Sequence, residues 1–255
     1  MATGEHKAMF RVVDPALLEK IALASNALKT DASLSLLRRH KVDHALKDAA
    51  SRHSVAMEMP NGQKISASRA GKLAMKSLRS AQEYFAKFYH GNLTEDLIVD
   101  LGSLIMPRLA RGYRRGLGFA AAGGVYPRDP VDEMAPFLEE NNGLSHEVEK
   151  ACHAHFHLAR IHPFADGNGR LARLVQNGIL MNEGLPPIVI NNKDRSEYLD
   201  LLSSGQNAYK LREAQLVDDP KYTGSPITTS KQSTFYSFLG ERLLFSLEAF
   251  SKCRK

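Results

Sequence analysis

The run His162-Pro163-Phe164-Ala165-Asp166-Gly167-Asn168-Gly169-Arg170-Leu171-Ala172-Arg173 places an imidazole, a carboxylate, a glycine-rich turn and two arginines within twelve residues. These groups can hold the phosphates of a nucleotide and move part of it onto another molecule. His162 can take a proton from a hydroxyl near neutral pH. Asp166 offers a hard oxygen suited to Mg²⁺ bridging two phosphates. The Gly167-Asn168-Gly169 turn reaches left-handed dihedrals at low cost and would aim successive backbone N–H groups at one spot, a nest for phosphate oxygens at a helix start. Arg170 and Arg173 are three apart and share a helix face, and guanidinium groups bind terminal phosphates bidentately. The chemistry this suggests is nucleotidyl transfer. An acceptor hydroxyl gives its proton to His162 and attacks the α-phosphorus of a nucleoside triphosphate, while Mg²⁺ and the arginines hold the leaving pyrophosphate. Singly, a histidine before proline is commonly a cap or core residue and Gly-Asn-Gly is commonly a turn. Jointly the pattern is far more specific.

The elements that must position this run read as helices. Asp14-Pro15 forms an N-cap and first helical position, followed by Leu17, Leu18, Ile21, Ala22 and Leu28 at helical spacing. A second stripe runs through Leu34, Leu37 and Val42 to Leu46, and Met59-Pro60-Asn61-Gly62 signals a turn. Ser66 is the expected cap of a helix through Leu73, Leu78, Tyr84 and Phe88 that ends at Gly91-Asn92, and Thr94 opens another with Glu95 and Asp96 in its first turn. Glycines and prolines crowd residues 112–130, which predicts a loop or short hairpin. Helical pattern returns at 131–138 and 145–160, and Pro163 interrupts it. A further helix starts near Gly169 and stops before Pro186-Pro187, and the next carries Tyr198, Leu199, Leu202 and Tyr209. Residues 217–231 read as a loop before a terminal stripe from Phe235 to Phe250.

The bulk numbers agree with a soluble globular protein: 255 residues, 43% hydrophobic and 24% charged. No apolar run approaches the roughly 20 residues that span a bilayer, and the first residues lack a secretory pattern, so no membrane partner is expected. Cys152 and Cys253 lie far apart, which points to a reducing cytoplasm. The net charge of +6 and pI near 9.3 could suit nucleic acid or an anionic cofactor, but the basic residues are scattered and form no dense run, which argues against a dedicated nucleic-acid binder.

The central run resembles the signature of the Fic family, His-Pro-Phe-x-x-Gly-Asn-Gly-Arg-x-x-Arg, with every fixed position and Asp166 retained. Gly112-Tyr113-Arg114 and Tyr126-Pro127 resemble the flanks of that family's β-hairpin flap, Ala154-His155 and Ile161 the helix before the motif, and Arg195, Tyr198 and Gly205-Gln206-Asn207 segments near the nucleotide base. The resemblance covers about residues 45–210. It implies an all-α fold, a Fic-type helical core with a small β-hairpin flap, and transfer of AMP from ATP to a hydroxyl side chain of a target protein. It implies His162 as catalytic base, with Phe164, Asp166, Gly167, Asn168, Gly169, Arg170, Arg173, Tyr198 and Gln206 binding the nucleotide and Asp166 binding Mg²⁺. The target would dock on the flap near 117–127 by strand pairing. Gly169, where phosphate-transferring relatives carry lysine, and Gly167, where phosphocholine-transferring relatives carry alanine, favour AMP transfer without excluding UMP or GMP. The implied organisation is a helical extension over 1–50, a Fic domain over 51–210 and a C-terminal loop and helix over 211–255. Delivery into a host cell is the alternative to a cytoplasmic site of action, and self-association of relatives makes a homo-oligomer one possible state.

Ser54-Val55-Ala56-Met57-Glu58 resembles the family's inhibitory motif on an N-terminal helix near 48–58, departing from it at Met59, where glycine or asparagine is usual. Glu58 would pair with Arg173 and turn ATP into an unproductive pose. The same glutamate could align water for AMP removal, so a bifunctional or de-AMPylating enzyme is the alternative. A nucleotide-sensing scaffold and a nucleic-acid-binding regulator are the non-enzyme readings. His153 and His157, one turn apart, invite a metal, but no third ligand is evident in sequence, so packing histidines are the expectation.

Overall fold

The computed structural model describes residues 12–31, 35–59, 68–107, 112–115, 118–119, 125–126, 129–217 and 228–252. Their order is α1 (Pro15–Thr30), α2 (Leu36–Ala56), α3 (Arg69–Phe88), α4 (Glu95–Ile105), β1 (Gly118–Phe119), β2 (Val125–Tyr126), α5 (Pro130–Gly143), α6 (Glu147–Ile161), α7 (Asn168–Asn182), α8 (Arg195–Val217) and α9 (Ser230–Lys252), with a 3-10 turn at Asn192–Asp194. Apart from this two-residue strand pair, the described fold is helical.

Local chemistry sets most of the starts. Asp14 accepts from the Ala16 and Leu17 N–H groups ahead of Pro15, and Thr94 accepts from Leu97 N. The third helix is capped by Ser68, which accepts from Gly71 N, rather than by Ser66, which lies outside the described residues. Within the segment expected to form a flap, β1 pairs antiparallel with β2, Gly118 opposite Tyr126 and Phe119 opposite Val125, which by itself does not establish a flap. The other residues of 116–128 lie outside the description.

α6 and α7 form the central packed pair. α3, α4 and α2 lie against α7, α5 against α6, and α8 and α1 against α9, which also touches α6 and α2. Every residue of α6 from Ala151 to Ile161 is buried. A helix surrounded on all sides must satisfy its polar residues internally, and α6 carries His153, His155, His157 and Arg160 into the interior. The central run lies at the junction of these two buried, mutually packed helices.

Candidate active site

α6 ends because Pro163 cannot continue it, and His162 turns the chain with φ 53° and ψ 57°. It is the one non-glycine residue with positive φ among the described residues. An ordinary side chain is strained in this left-handed region. Arg114, which precedes β1, holds the turn: Nε donates to the His162 carbonyl at 2.8 Å, NH2 to the Ile161 carbonyl at 3.3 Å, and its backbone N to the Pro163 carbonyl at 2.8 Å. One guanidinium thereby serves the orphan carbonyls at the end of α6 and fixes the histidine. The sequence marked Arg114 only as part of a flap flank, and no spacing along the chain signals a contact 48 positions away at the end of α6. Burial lowers the His162 pKa, opposed by a backbone hydrogen bond at Ala159, while Arg114 also lowers it and Glu58 and Asp166 raise it. The ring is thus neutral at physiological pH, as a general base must be.

The loop after His162 is braced by its own side chains. Asn168 Oδ1 accepts from Phe164 N at 2.9 Å and its Nδ2 donates to the Phe164 carbonyl at 2.8 Å. Phe164 is 1% exposed, and a Cβ at Gly102 would run into its ring. Expected to bind nucleotide, Phe164 instead sends its side chain into the core, and Asn168 spends its amide on the loop. Gly167 has φ 83°, and a Cβ there would lie 2.8 Å from Met106 Cγ. It precedes α7 with no side-chain cap, so the first N–H groups of α7 face the site as a nest for an anion.

Arg170 and Arg173 are both 6% exposed. Arg170 lies 3.8 Å from Asp166 Oδ2 and donates to the Met106 sulfur, and its Nε has no hydrogen-bond partner. A buried guanidinium with an unpartnered Nε–H in the uncapped first turn of α7 fits a site for phosphate oxygens. Asp166 accepts from Gly167 N at 2.6 Å through Oδ1, and its side chain is half exposed, so Oδ2 could hold a cation.

Arg173 is already held. Nε donates to Ser54 Oγ at 2.9 Å, and NH2 to the Ser54 carbonyl at 3.0 Å and to Glu58 Oε1 at 2.7 Å. The Ser54 carbonyl belongs to the last turn of α2, so Arg173 also caps that helix. Glu58 sits in the turn just beyond, and a Cβ at Gly169 would lie 2.5 Å from its Oε1. Burial would raise the Glu58 carboxyl, but the charge and hydrogen bond of Arg173, aided by Arg170 and Arg195, outweigh it and hold the pKa below its ordinary value.

Three residues expected near the nucleotide base lie elsewhere. Tyr198, expected near the nucleotide base, is 1% exposed and lies behind Arg173, whose NH1 donates to its hydroxyl at 3.5 Å. Arg195 donates through Nε to the Met57 carbonyl at 3.1 Å, a second tie on the end of α2. Gln206 is half-buried two turns further along α8 than Tyr198, about 12 Å by helical rise, and is not gathered with the central run.

The structure also supplies the third ligand that the histidines lacked in sequence. Glu140, His153 and His157 bring one donor atom each within 4.8 Å of one another. Their hydrogen-bond polarity does not suit a metal. Asn141 Nδ2, fixed as a donor by the Lys150 carbonyl at 2.8 Å, points at His153 Nδ1 at 3.2 Å. Arg160 Nε donates to His157 Nδ1 at 3.3 Å. Both rings therefore carry their proton on Nε2, the atoms left for a cation, whereas a metal-bound histidine donates its other nitrogen to an acceptor. Phe137 stacks on both rings, and the cluster reads as satisfied packing between α5 and α6.

Residues 92–180 match the model of the Fic/DOC family. A protein adenylyltransferase Fic of Nematostella vectensis is 40% identical over 85 residues, 32% of this chain and 20% of that protein. One from Drosophila persimilis is 46% identical over 88 residues, 31% of this chain and 17% of that protein. The chain thus spans about a fifth of the length of these relatives. A crystal structure of a Fic-domain-containing signaling protein from Bacteroides thetaiotaomicron superposes with TM-score 0.72 at 22% identity, covering 91% of this chain and 97% of that one. Fic-1 from C. elegans gives 0.69 at 18% identity, covering 93% and 71%. A helical fold of the same kind, a family match that ends within α7 and a histidine–arginine run at the junction of α6 and α7 agree: this chain carries a domain of the Fic/DOC family.

Proposed function

We propose that the protein is an adenylyltransferase that moves AMP from ATP to a hydroxyl side chain of a target protein, and that Glu58 restrains it. The observation that carries this reading is the gathering, within one twelve-residue run, of neutral His162, the uncapped start of α7 and the buried Arg170 with its unpaired Nε. The names of the matched relatives support the same chemistry at the level of the domain. An acceptor hydroxyl meets His162, loses its proton to the ring and attacks the α-phosphorus in line with the leaving pyrophosphate. The N–H groups of α7 stabilise charge gathering on the α-phosphate. Arg170 and a released Arg173 hold the β- and γ-phosphates. Mg²⁺, held by Asp166 Oδ2, would neutralise charge on the leaving group.

Target docking falls to the β1–β2 segment, where an extended chain could add to a strand edge. A structural neighbour, IbpAFic2, was solved covalently tethered to Cdc42, with TM-score 0.51 at 18% identity, and supports a protein as the class of target. In the resting state Glu58 and Ser54 occupy the Arg173 guanidinium, so ATP binds without the γ-phosphate grip that aligns it. A second reading, removal of AMP, draws on the Glu58 carboxylate standing beside Gly169 of the central run, where it could orient a water. Incubating wild type and His162→Ala with ATP labelled at the α- or γ-phosphate tests the assignment. Label reaching protein only from the α position, and only with His162 present, is the expected result. Label arriving only from the γ position would replace it with phosphorylation.

A further inference from the structure

Behind Arg173 runs a chain of hydrogen bonds whose polarity is fixed from one end. The Ile188 N–H must donate, and it does so to Asn177 Oδ1 at 2.9 Å, while Asn177 Nδ2 donates to the Ile188 carbonyl at 3.1 Å. That orientation makes Asn177 Oδ1 an acceptor for Gln176 Nε2 at 3.1 Å. Gln176 therefore turns Oε1 toward His155, whose Nδ1 carries the proton and donates to it. His155 Nε2 is left as an acceptor and receives the Tyr198 hydroxyl proton at 2.9 Å. The Tyr198 oxygen then has a lone pair for Arg173 NH1. Gln176 and His155 are 0% exposed and Tyr198 1%, so water cannot substitute for any member. Burial drives the His155 pKa down to about 3, with Gln176 opposing and Arg173 assisting, which keeps the ring in the neutral tautomer the chain requires.

We propose that His155 and Tyr198 are positioning residues that hold the Arg173 guanidinium in place for the γ-phosphate through a hydrogen-bond chain anchored on the Ile188 backbone. The proposal rests on the reading that a released Arg173 binds that phosphate. Arg173 has two sets of ties on different nitrogens. The end of α2 grips Nε and NH2 through Ser54 and Glu58, and α8 grips NH1 through Tyr198. When the α2 end lets go, the Tyr198 tie remains and stops the guanidinium from swinging away, so the cation is pre-organised when ATP arrives. Neither His155 nor Tyr198 touches the nucleotide.

The test uses the Glu58→Gly background, in which Arg173 loses its Glu58 bond and keeps only the two Ser54 bonds at the end of α2. ATP and AMP affinities are measured there for Tyr198→Phe and for Arg173→Ala, with a thermal melt to confirm folding. Tyr198→Phe should weaken ATP about threefold to tenfold, the loss of one long hydrogen bond to a charged group, and leave AMP, which has no γ-phosphate, unchanged. A merely structural role would weaken both nucleotides alike, and that outcome overturns the proposal. So does an unchanged ATP affinity in Tyr198→Phe when Arg173→Ala weakens ATP. If Arg173→Ala itself binds ATP normally, the γ-phosphate assignment falls first and takes the proposal with it. Independently of activity, ¹⁵N spectroscopy should find His155 protonated on Nδ1, and a ring protonated on Nε2 would break the chain.

Discussion

Glu58→Gly removes one of the three bonds by which the end of α2 holds Arg173, and its effect on rate can be worked from the geometry. The lost contact is a charge-assisted hydrogen bond of 2.7 Å. Such bonds contribute about 1.5–3 kcal/mol. The Glu58 side chain is 33% exposed, so solvent screening reduces this to about 1–2 kcal/mol. The two Ser54 bonds remain and keep part of the hold. The productive pose should therefore gain about 5- to 30-fold, at 1.36 kcal/mol per tenfold. Glu58→Gln, which keeps an acceptor oxygen but not the charge, should fall between wild type and glycine. The assay is label transfer from α-labelled ATP to protein at saturating nucleotide, with ATP affinity measured separately. A Glu58→Gly protein that binds ATP but transfers no faster would refute the latch. The pH dependence adds a sign. The Glu58 pKa is held below its ordinary 4.5, so the contact is complete above that value and is lost only as pH falls through the lower, folded one. The ratio of variant to wild-type rate should be flat from about pH 6 to about pH 8 and shrink only in acid.

His162→Ala should lose about 10²- to 10⁴-fold in transfer with little change in ATP affinity, since the ring serves as base rather than as a phosphate ligand; a variant that transfers normally would remove His162 from the chemistry. Arg114→Met strips the donors from the Ile161 and His162 carbonyls and should cost about 1–3 kcal/mol, seen as a lower melting temperature together with lost transfer. An unchanged melt would show that the turn does not need this clamp. Gly167→Ala must take φ 83° and place a Cβ 2.8 Å from Met106 Cγ, so it should destabilise by about 1–2 kcal/mol or more. Wild-type stability there would mean the loop has an alternative path.

Much of the helical frame follows from local chemistry. Asp14-Pro15 and Thr94 cap the helices they were expected to cap, and Pro163 ends α6, because capping bonds and the proline ring act over a few residues. Where the frame departs from the sequence reading, the local signal was degenerate: Ser66 and Ser68 offer the same hydroxyl, and the structure uses Ser68.

The central run could be read as a phosphate site from its residue types alone, but the partners of each group could not. Phe164 looked like a nucleotide contact and faces the core, Tyr198 looked like a base contact and lies behind Arg173, and Arg114 looked like a flap flank and clamps His162. Glu140 completes a three-residue cluster whose two histidines are recognisable in sequence, and only the donors around them show that protons already occupy the atoms a metal would need. The sequence by itself determined which chemical groups are present and where helices start and stop, because those depend on spacing along the chain. Tertiary structure decided what each group touches: burying all of α6 forces its histidines into fixed tautomers, and bringing the end of α2 to α7, 115 positions away, gives Arg173 its competing partners.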